Sequence, residues 1–592
     1  MTRSKILLFL LTILPALCCH EMAAKNVTPA RAAQYARSFW GSRAKVSSTS
    51  SDLVLAWDSG ALSASVKGTT AQDKLFYVFT PSGSNGYIIV SAEDAVMPVL
   101  AYSFEDPAPS PDNIPVPMAD WIGWVSAQIE GIRESGVQFT AATGQWAEAR
   151  AGNAVVLLET AKWNQGDPYN RFCPMDGSYR SLAGCVPVAA AIVMRYHRWP
   201  ESGKGSTNAY RTDSKGLSVA QRNLEHSYDW DNMPLNFVEG NYSEEQALAV
   251  STILADVGAA FQADYAAEGT GASLKSDVMY ANFGYNPSMS QIPRENYDDK
   301  VWLSMLRGEL DAFRPVVYCG YDVDNGHAFI LDGYTDDDYF HVNWGWGGEA
   351  DGYFTLSTLT PYDDPGYSFN SNHFACFGLK PGADDATVED WMKFRAPGMV
   401  VSAGTIEKNS SFLFNELHFI NNTAVDFSGS LRGALTDRDG NVKEWITRRL
   451  DYELPGGGYW VKWPNVSATV TVDIESGDRL RFFYKPDNCE EWFLIKSNGE
   501  KGCIWEVPVT GETFIDLTSF SFDRRSRRVT IETVPGVEAR LSNSSSEDFT
   551  DRITAGDTVI VIDMEGLPED VYTLELVNGE ERKLLNINVK TL

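Results

Sequence analysis

Cysteine, histidine and positive charge are all in short supply, and so are long apolar runs. Eight cysteines occur in 592 residues, and two of them, Cys18 and Cys19, fall in an apolar N-terminal leader. That rules out a disulfide scaffold. No Cys-x-x-Cys pair or Cys/His cluster has zinc spacing, so no metal and no other cofactor is expected. Cys489 and Cys503 are close enough in a strand-rich stretch to bridge, which leaves Cys173, Cys185, Cys319 and Cys376 as candidates for a working thiol. Lys plus Arg number 49 against 79 Asp plus Glu, a net charge of −30. Such a chain repels polyphosphate and anionic membranes, which argues against nucleic acid as a partner. After the leader no apolar run approaches the ~18 residues of a membrane span.

The length is about four times the ~150-residue prior for one domain, so three to five folded units are expected. Hydrophobic residues at 44% and charged residues at 22% are ordinary for packed globular cores. Residues 1–19 read as an export signal: a basic start, an apolar run from Ile6 to Leu14, then Pro15 and small residues. The mature protein is therefore expected to be secreted or held at the cell surface; Cys18 or Cys19 could alternatively become a lipid-anchored first residue. Residues 20–150 carry a helical pattern after Pro29 and then a β-hairpin (Lys74 to Thr80, Gly86 to Ser91), and end in a polar stretch from Ala141 to Asn153. Residues 151–384 read as helices first (Cys185 to Arg198, Glu244 to Phe261, Lys300 to Phe313) and strands second (Val316 to Cys319, His327 to Tyr334, Tyr339 to Trp344, Gly352 to Leu356), an α+β order. Beyond Asp385 the short alternating runs fit two β-sandwich modules, 385–510 and 511–592.

A thiol nucleophile needs a lowered pKa, which a helix N-terminus supplies through unpaired N–H groups and the helix dipole. Cys185 follows Gly184 in GCVPVAAAIVMRYHRWP, at the start of such a helix. An imidazole must then take the thiol proton and return it to the leaving amine. Of seven histidines, His327 opens the strand HAFILDGY at what reads as a cleft mouth. A third group must hold the ring in one tautomer, and Asn343 in HVNWGWGG is the candidate, with Trp344 shielding the bond from water. A plain hairpin pairing Tyr334 with Tyr339 would set Asn343 opposite Ile330, on the face away from His327, so this assignment requires a bulge or an offset turn. Gln165 in WNQGDPYN would form an oxyanion site with the backbone N–H of Cys185, such a donor being worth ~2.7–4 kcal/mol. An adjacent imidazolium and the helix N-terminus together predict a Cys185 thiol below its ordinary pKa.

These four stretches, which run in the chain as WNQGDPYN, GCVPVAAAIVMRYHRWP, HAFILDGY and HVNWGWGG over some 190 residues, resemble the streptopain family of papain-like cysteine peptidases. The resemblance implies Cys185 as nucleophile, His327 as base, Asn343 as orienting residue, Trp344 as its cover and Gln165 as oxyanion donor. It extends into GYIIVSAEDAVMPVLAYS, which is similar to the family's inhibitory prosegment, and so covers roughly residues 25 to 381. In a multidomain chain it implies an α+β prosegment (20–150) and a papain-like α+β catalytic domain (151–384); the C-terminal all-β modules lie outside it, the last of them being weakly similar to the Ig-like modules appended to secreted bacterial proteins. The implied activity is that of a latent endopeptidase acting on proteins or peptides, with its own prosegment as inhibitor. Pro187 and the GTGAS loop at 269–273 depart from the family pattern, and the second leaves subsite preference open. A Cys-His amidase acting on cell-wall peptides and a catalytically inert adhesin are the competing readings.

Overall fold

The computed structural model describes residues 26–588 apart from 44–51, 64–65, 67–72, 135–145, 147–151, 239–240, 322–325, 357–372, 383–387, 389, 403–405, 476, 510–518, 524–526, 534–536, 544–547, 557–558, 569–570 and 579–580. The leader, nearly all of the polar stretch expected as a linker and the division near Thr510 lie outside the described residues.

One antiparallel sheet organises the first two-thirds of the chain. The N-terminal region supplies helix α1 (Pro29–Arg43), strands β1 (Leu53–Asp58), β2 (Phe76–Pro81), β3 (Tyr87–Ser91) and β4 (Val99–Ser103), and helix α2 (Val116–Glu134). After β5 (Ala154–Leu157) come helices α3 (Cys185–His197), α4 (Glu244–Ala260) and α5 (Ser276–Phe283), strand β6 (Ser290–Pro293) and helix α6 (Asp299–Asp311). Strands β7 (Val316–Tyr321), β8 (Gly326–Thr335), β9 (Tyr339–Asn343), β10 (Gly352–Thr355) and β11 (His373–Phe377) follow. Among the described residues the order is β1-β2-β3-β4-β10-β9-β8-β7-β11-β6, with β5 also pairing β8. The N-terminal region thus extends the sheet of the following domain, joined where β4 meets β10 at Tyr102 with Tyr353 and Ala101 with Phe354. Four further bonds tie the two regions: Tyr87 Oη donates to Ala350 O (2.8 Å), Tyr339 Oη to Val99 O (2.6 Å), Trp121 Nε1 to Thr355 O (3.0 Å), and Lys162 Nζ to Asp106 (3.4 Å).

Alternation along the strands divides the core into two layers. Tyr318, Phe329, Leu331 and Phe354 pack under α2 and α6, against Trp121, Ile122, Val125, Trp302 and Leu306. Val317, Cys319, Ala328, Ile330 and Cys376 pack on the other side, under α3 and α4. Helix α2 places Met118, Trp121, Ile122, Val125, Ile129 and Ile132 at three- and four-residue steps, an apolar stripe facing the sheet. Helix α3 is apolar almost all round, as a fully buried helix must be. Pro187 sits in its first turn, where a missing N–H leaves no ladder bond unmade. Helix α4 begins at Ser243, whose hydroxyl accepts from Gln246 N while the Gln246 side chain accepts from Ser243 N, a reciprocal cap.

Strand β8 carries a bulge between Leu331 and Gly333, so Asp332 is its extra residue and the pairing with β9 shifts by one across it. The anticipated strands and helices appear within two residues or so of their expected ends. Helices α2 and α5 and strands β1, β5, β6 and β11 were not anticipated, β5 because its four residues are mostly exposed and lack an apolar–polar alternation.

Among its described residues the C-terminal third is built of β-strands, with one 3-10 turn at Thr550–Arg552. Two sheets, one built on Ser411–Asn421 with Tyr459–Thr469 and one on Phe427–Thr436 with Arg479–Pro486, enclose a core of Phe394, Phe414, Phe419, Phe427 and Phe482. Two smaller sheets, one containing Arg528–Glu532 and Val559–Asp563 and one containing Val571–Asn578, enclose a second core. The first unit docks on the preceding region in part through a short turn: Asn296 Nδ2 to Glu500 Oε1 (3.1 Å), Tyr297 Oη to Asn498 O (3.0 Å) and Lys501 to Asp298 (2.7 Å). Cys489 and Cys503 are both free thiols here, so the bridge allowed by their spacing is not made.

Candidate active site

Cys185 is the first residue of α3, and Gly184 before it has φ 95°. Only glycine takes that conformation without strain, and a Cβ there would also come within 3.0 Å of Thr270 Cγ2 and 3.1 Å of Thr270 O. The GTGAS loop therefore braces the turn that carries Cys185, with Thr270 Oγ1 donating to Leu182 O at 2.7 Å. Gln165 is brought to the same place: its carbonyl accepts from Ala183 N at 2.9 Å, two residues before Cys185, and the residue is 8% exposed. Cys185 and Gln165 are therefore neighbours, as their expected roles require.

His327 is not on their side of the sheet. It pairs with Gly320 and lies in step with Phe329 and Leu331, which face α2. Cys185 packs into the opposite layer, beside Ala328 and Ile330. On the α2 side the imidazole meets a carboxylate from the N-terminal region: Asp120 Oδ2 stands 3.5 Å from His327 Nε2, both side chains being largely buried. The sequence reading missed Asp120. Its only signal was an acidic residue between the apolar positions Met118 and Trp121.

This arrangement reverses the expected charge state of the thiol. Burial pushes the Cys185 pKa up; the backbone N–H groups of Ala328, Val186 and Cys185 itself pull it down, and the Asp120 carboxylate pushes it up again. The net direction is upward, so the depressed thiol expected from an imidazolium partner is absent from this form. Cys173 and Cys319 are likewise pushed up to about 12 by burial.

Asn343 pairs with Ile330 and so lies on the Cys185 side, away from His327. A bulge does exist, as the assignment required, but it falls beyond Leu331 and leaves that pairing as the plain hairpin has it. The carboxamide is 1% exposed; Nδ2 donates to Thr160 Oγ1 and to Ala161 O, both at 3.0 Å, and Oδ1 accepts from Gly345 N at 3.0 Å. In this form Asn343 does not hold the imidazole. Trp344 lies on the α2 side, its ring 4.9 Å from both Phe329 and Phe354, its Nε1 donating to Ala350 O and its backbone N–H to Asp351 Oδ1. It therefore covers no His327–Asn343 contact here. Among the described residues no His/Cys/Asp/Glu group is arranged to hold a metal ion.

Comparison with known proteins adds to this geometry. Residues 163–354 match the Peptidase C10 family, and residues 24–129 match the Spi protease inhibitor family. Streptopain of Streptococcus pyogenes is 32% identical over 332 residues, which cover 52% of this chain and 80% of that one. The thiol protease/hemagglutinin PrtT of Porphyromonas gingivalis is 27% identical over 517 residues, 81% of this chain, yet this chain spans only 56% of its length. Among solved structures, a mutant fragment of Prevotella intermedia prointerpain A is 28% identical and covers 53% of this chain and 98% of that fragment, with a TM-score of 0.45.

Proposed function

The chain belongs to the Peptidase C10 family of cysteine peptidases, and from that premise we propose that it is an exported endopeptidase that hydrolyses proteins through a thioester on Cys185. It is made latent, with residues 20–150 as the inhibitory prosegment, residues 151–384 as the catalytic domain, and 385–510 and 511–592 as β-sandwich modules, the last Ig-like. What carries the reading is the partition of Cys185 and His327 between two faces of one sheet, with a prosegment carboxylate at the imidazole.

Activation is then a change of face. His327 is the second residue of β8, and in its ladder with β7 only the pairing of Gly326 with Tyr321 lies beyond it, so few sheet bonds resist its turning towards Cys185 once Asp120 withdraws. On the Cys185 face it takes the thiol proton. The thiolate attacks the scissile carbonyl, the imidazolium protonates the leaving amine, and a water activated by the same ring hydrolyses the thioester. Gln165 and the Cys185 backbone N–H bind the oxyanion, and Asn343 orients the ring from the face it already occupies. The cover expected of Trp344 would require its ring to leave the α2 face, where it packs between Phe329 and Phe354, so Trp344 takes no part in this step. Casein digestion blocked by a thiol-directed epoxide, measured beside peptidoglycan release, tests the proposal. Peptidoglycan release without casein digestion would mean a wall amidase, and neither activity an inert adhesin.

A further inference from the structure

The β8 bulge puts a carboxylate where an apolar strand would otherwise have none. Asp332 is 2% exposed, and both of its oxygens are engaged: Oδ2 accepts from Thr160 Oγ1 at 2.5 Å, and Oδ1 meets His341 Nδ1 at 2.5 Å. The direction of these bonds is fixed by chemistry. A carboxylate only accepts, so Thr160 spends its one hydroxyl hydrogen on Asp332 and must accept elsewhere. What it accepts is the Asn343 Nδ2 hydrogen, and the second Nδ2 hydrogen goes to Ala161 O. A flipped amide would set Oδ1 against Ala161 O, two acceptors face to face. Oδ1 is therefore turned away from Thr160 and Ala161 towards Gly345 N–H, with a second lone pair left to accept another donor.

We propose that Asp332, acting through Thr160, is a positioning residue for peptide hydrolysis: it fixes the Asn343 carboxamide so that Oδ1 is presented to the His327 ring N–H on the Cys185 face. This rests on the reading of Asn343 as the orienting residue. His341 holds the far oxygen of Asp332, which completes a line of buried groups from His341 to Asn343. Asp332 touches neither substrate nor thiol, so its effect on rate passes through the amide alone.

Thr160→Val keeps the shape and removes the hydroxyl, Thr160→Ser restores it, and Asp332→Asn removes the obligatory acceptor. Each is made in the full-length chain, matured with wild-type enzyme that is then removed by its tag, and titrated with a thiol-directed epoxide so that rates refer to competent thiols. Thr160→Val and Asp332→Asn should lower kcat roughly 10- to 100-fold with KM within about twofold, the usual scale for groups that orient a reacting residue. Thr160→Ser should recover to within about threefold of wild type. The double variant Asn343→Ala with Thr160→Val should lose no more than Asn343→Ala alone, because the two act through one group. Losses that multiply, or a titrated kcat near wild type accompanied only by a lower Tm, would overturn the proposal and leave Asp332 a structural residue. Where Asp332→Asn does not fold, the Thr160 pair decides. A fully active Asn343→Ala would remove the underlying reading; an impaired Asn343→Ala beside an unimpaired Thr160→Val removes the Asp332 proposal alone.

Discussion

On the proposed reading, the two faces of the central sheet hold the two halves of one catalytic apparatus. The α3 face has Cys185, Gln165 and Asn343; the α2 face has His327 beside Asp120. Neither half is distorted: Cys185 keeps its place at a helix N-terminus, and His327 sits in regular strand pairing. On that reading, the difference teaches how latency can arise from the position of the base. It is enough for the base to stand one residue out of phase with the face that carries the thiol, because successive strand residues point to opposite sides.

Breaking either half should have the largest effect. Cys185→Ala should reduce peptide hydrolysis by at least about four orders of magnitude, with its circular dichroism unchanged, and the variant produced alone should stay uncut. His327→Ala should fall nearly as far, since both proton transfers pass through it; turnover retained by either variant would sink the mechanism. Next comes the contact that separates the halves. Asp120→Asn in the full-length chain should speed self-processing by roughly tenfold, the factor that loss of ~1.4 kcal/mol supplies. An unchanged processing rate would show that strand pairing alone keeps the base away.

A smaller and more graded effect should appear in pH-dependent alkylation. The Cys185 pKa is raised in the latent form by burial and by Asp120, so the thiolate fraction there is low until alkaline pH. Iodoacetamide should therefore label Cys185 in the full-length protein only as pH rises into the alkaline range. The mature form, freed of Asp120 and gaining an imidazolium, should label in the acid range. Coincident profiles for the two forms, read by peptide mass, would contradict the change of face.

The smallest effect concerns Asp351, whose Oδ1 holds the Trp344 N–H at 3.0 Å. Burial pushes its carboxyl up to about 7 against the lowering influence of His341, the Trp344 N–H and Lys162, while Asp106 of the prosegment raises it. A raised native pKa means stability that is fully present below the ordinary value near ~4 and lost progressively as pH climbs to about 7. The Tm of Asp351→Asn relative to wild type should therefore improve by a few degrees between pH 4 and 7 and then level off. A pH-independent difference would show that Asp351 is not neutral in the native protein.

Much of the α3 face was legible from sequence, because local signals make it: Gly184 before an apolar run with Pro187 in its first turn marks a buried helix start, and WNQ precedes it by a fixed interval. The strands HAFILDGY and YFHVN were also legible as strands, and parity set Asn343 opposite Ile330. What could not be read was which of the two residues shares a face with the thiol. That depends on Asp120, more than two hundred residues upstream, and on a β4–β10 pairing that no local pattern encodes. Asp332 was in plain sight as the one charge in an apolar strand, but its meaning lay in Thr160, which only the fold brings beside it.

The join between β4 and β10 has a kinetic consequence. A cut anywhere between Glu134 at the end of α2 and Ala154 at the start of β5 breaks none of the strand pairings that hold the N-terminal region to the rest. Scission and release are then separate events. Before the cut, the inhibitory segment acts at an effective concentration set by the chain that joins it to the rest; after it, the same segment is a free ligand at the concentration of the protein itself. Activation should accordingly accelerate on dilution once cleavage is complete, and a lag that lengthens with protein concentration is the signature of a strand that has been severed from the chain but not yet from the sheet.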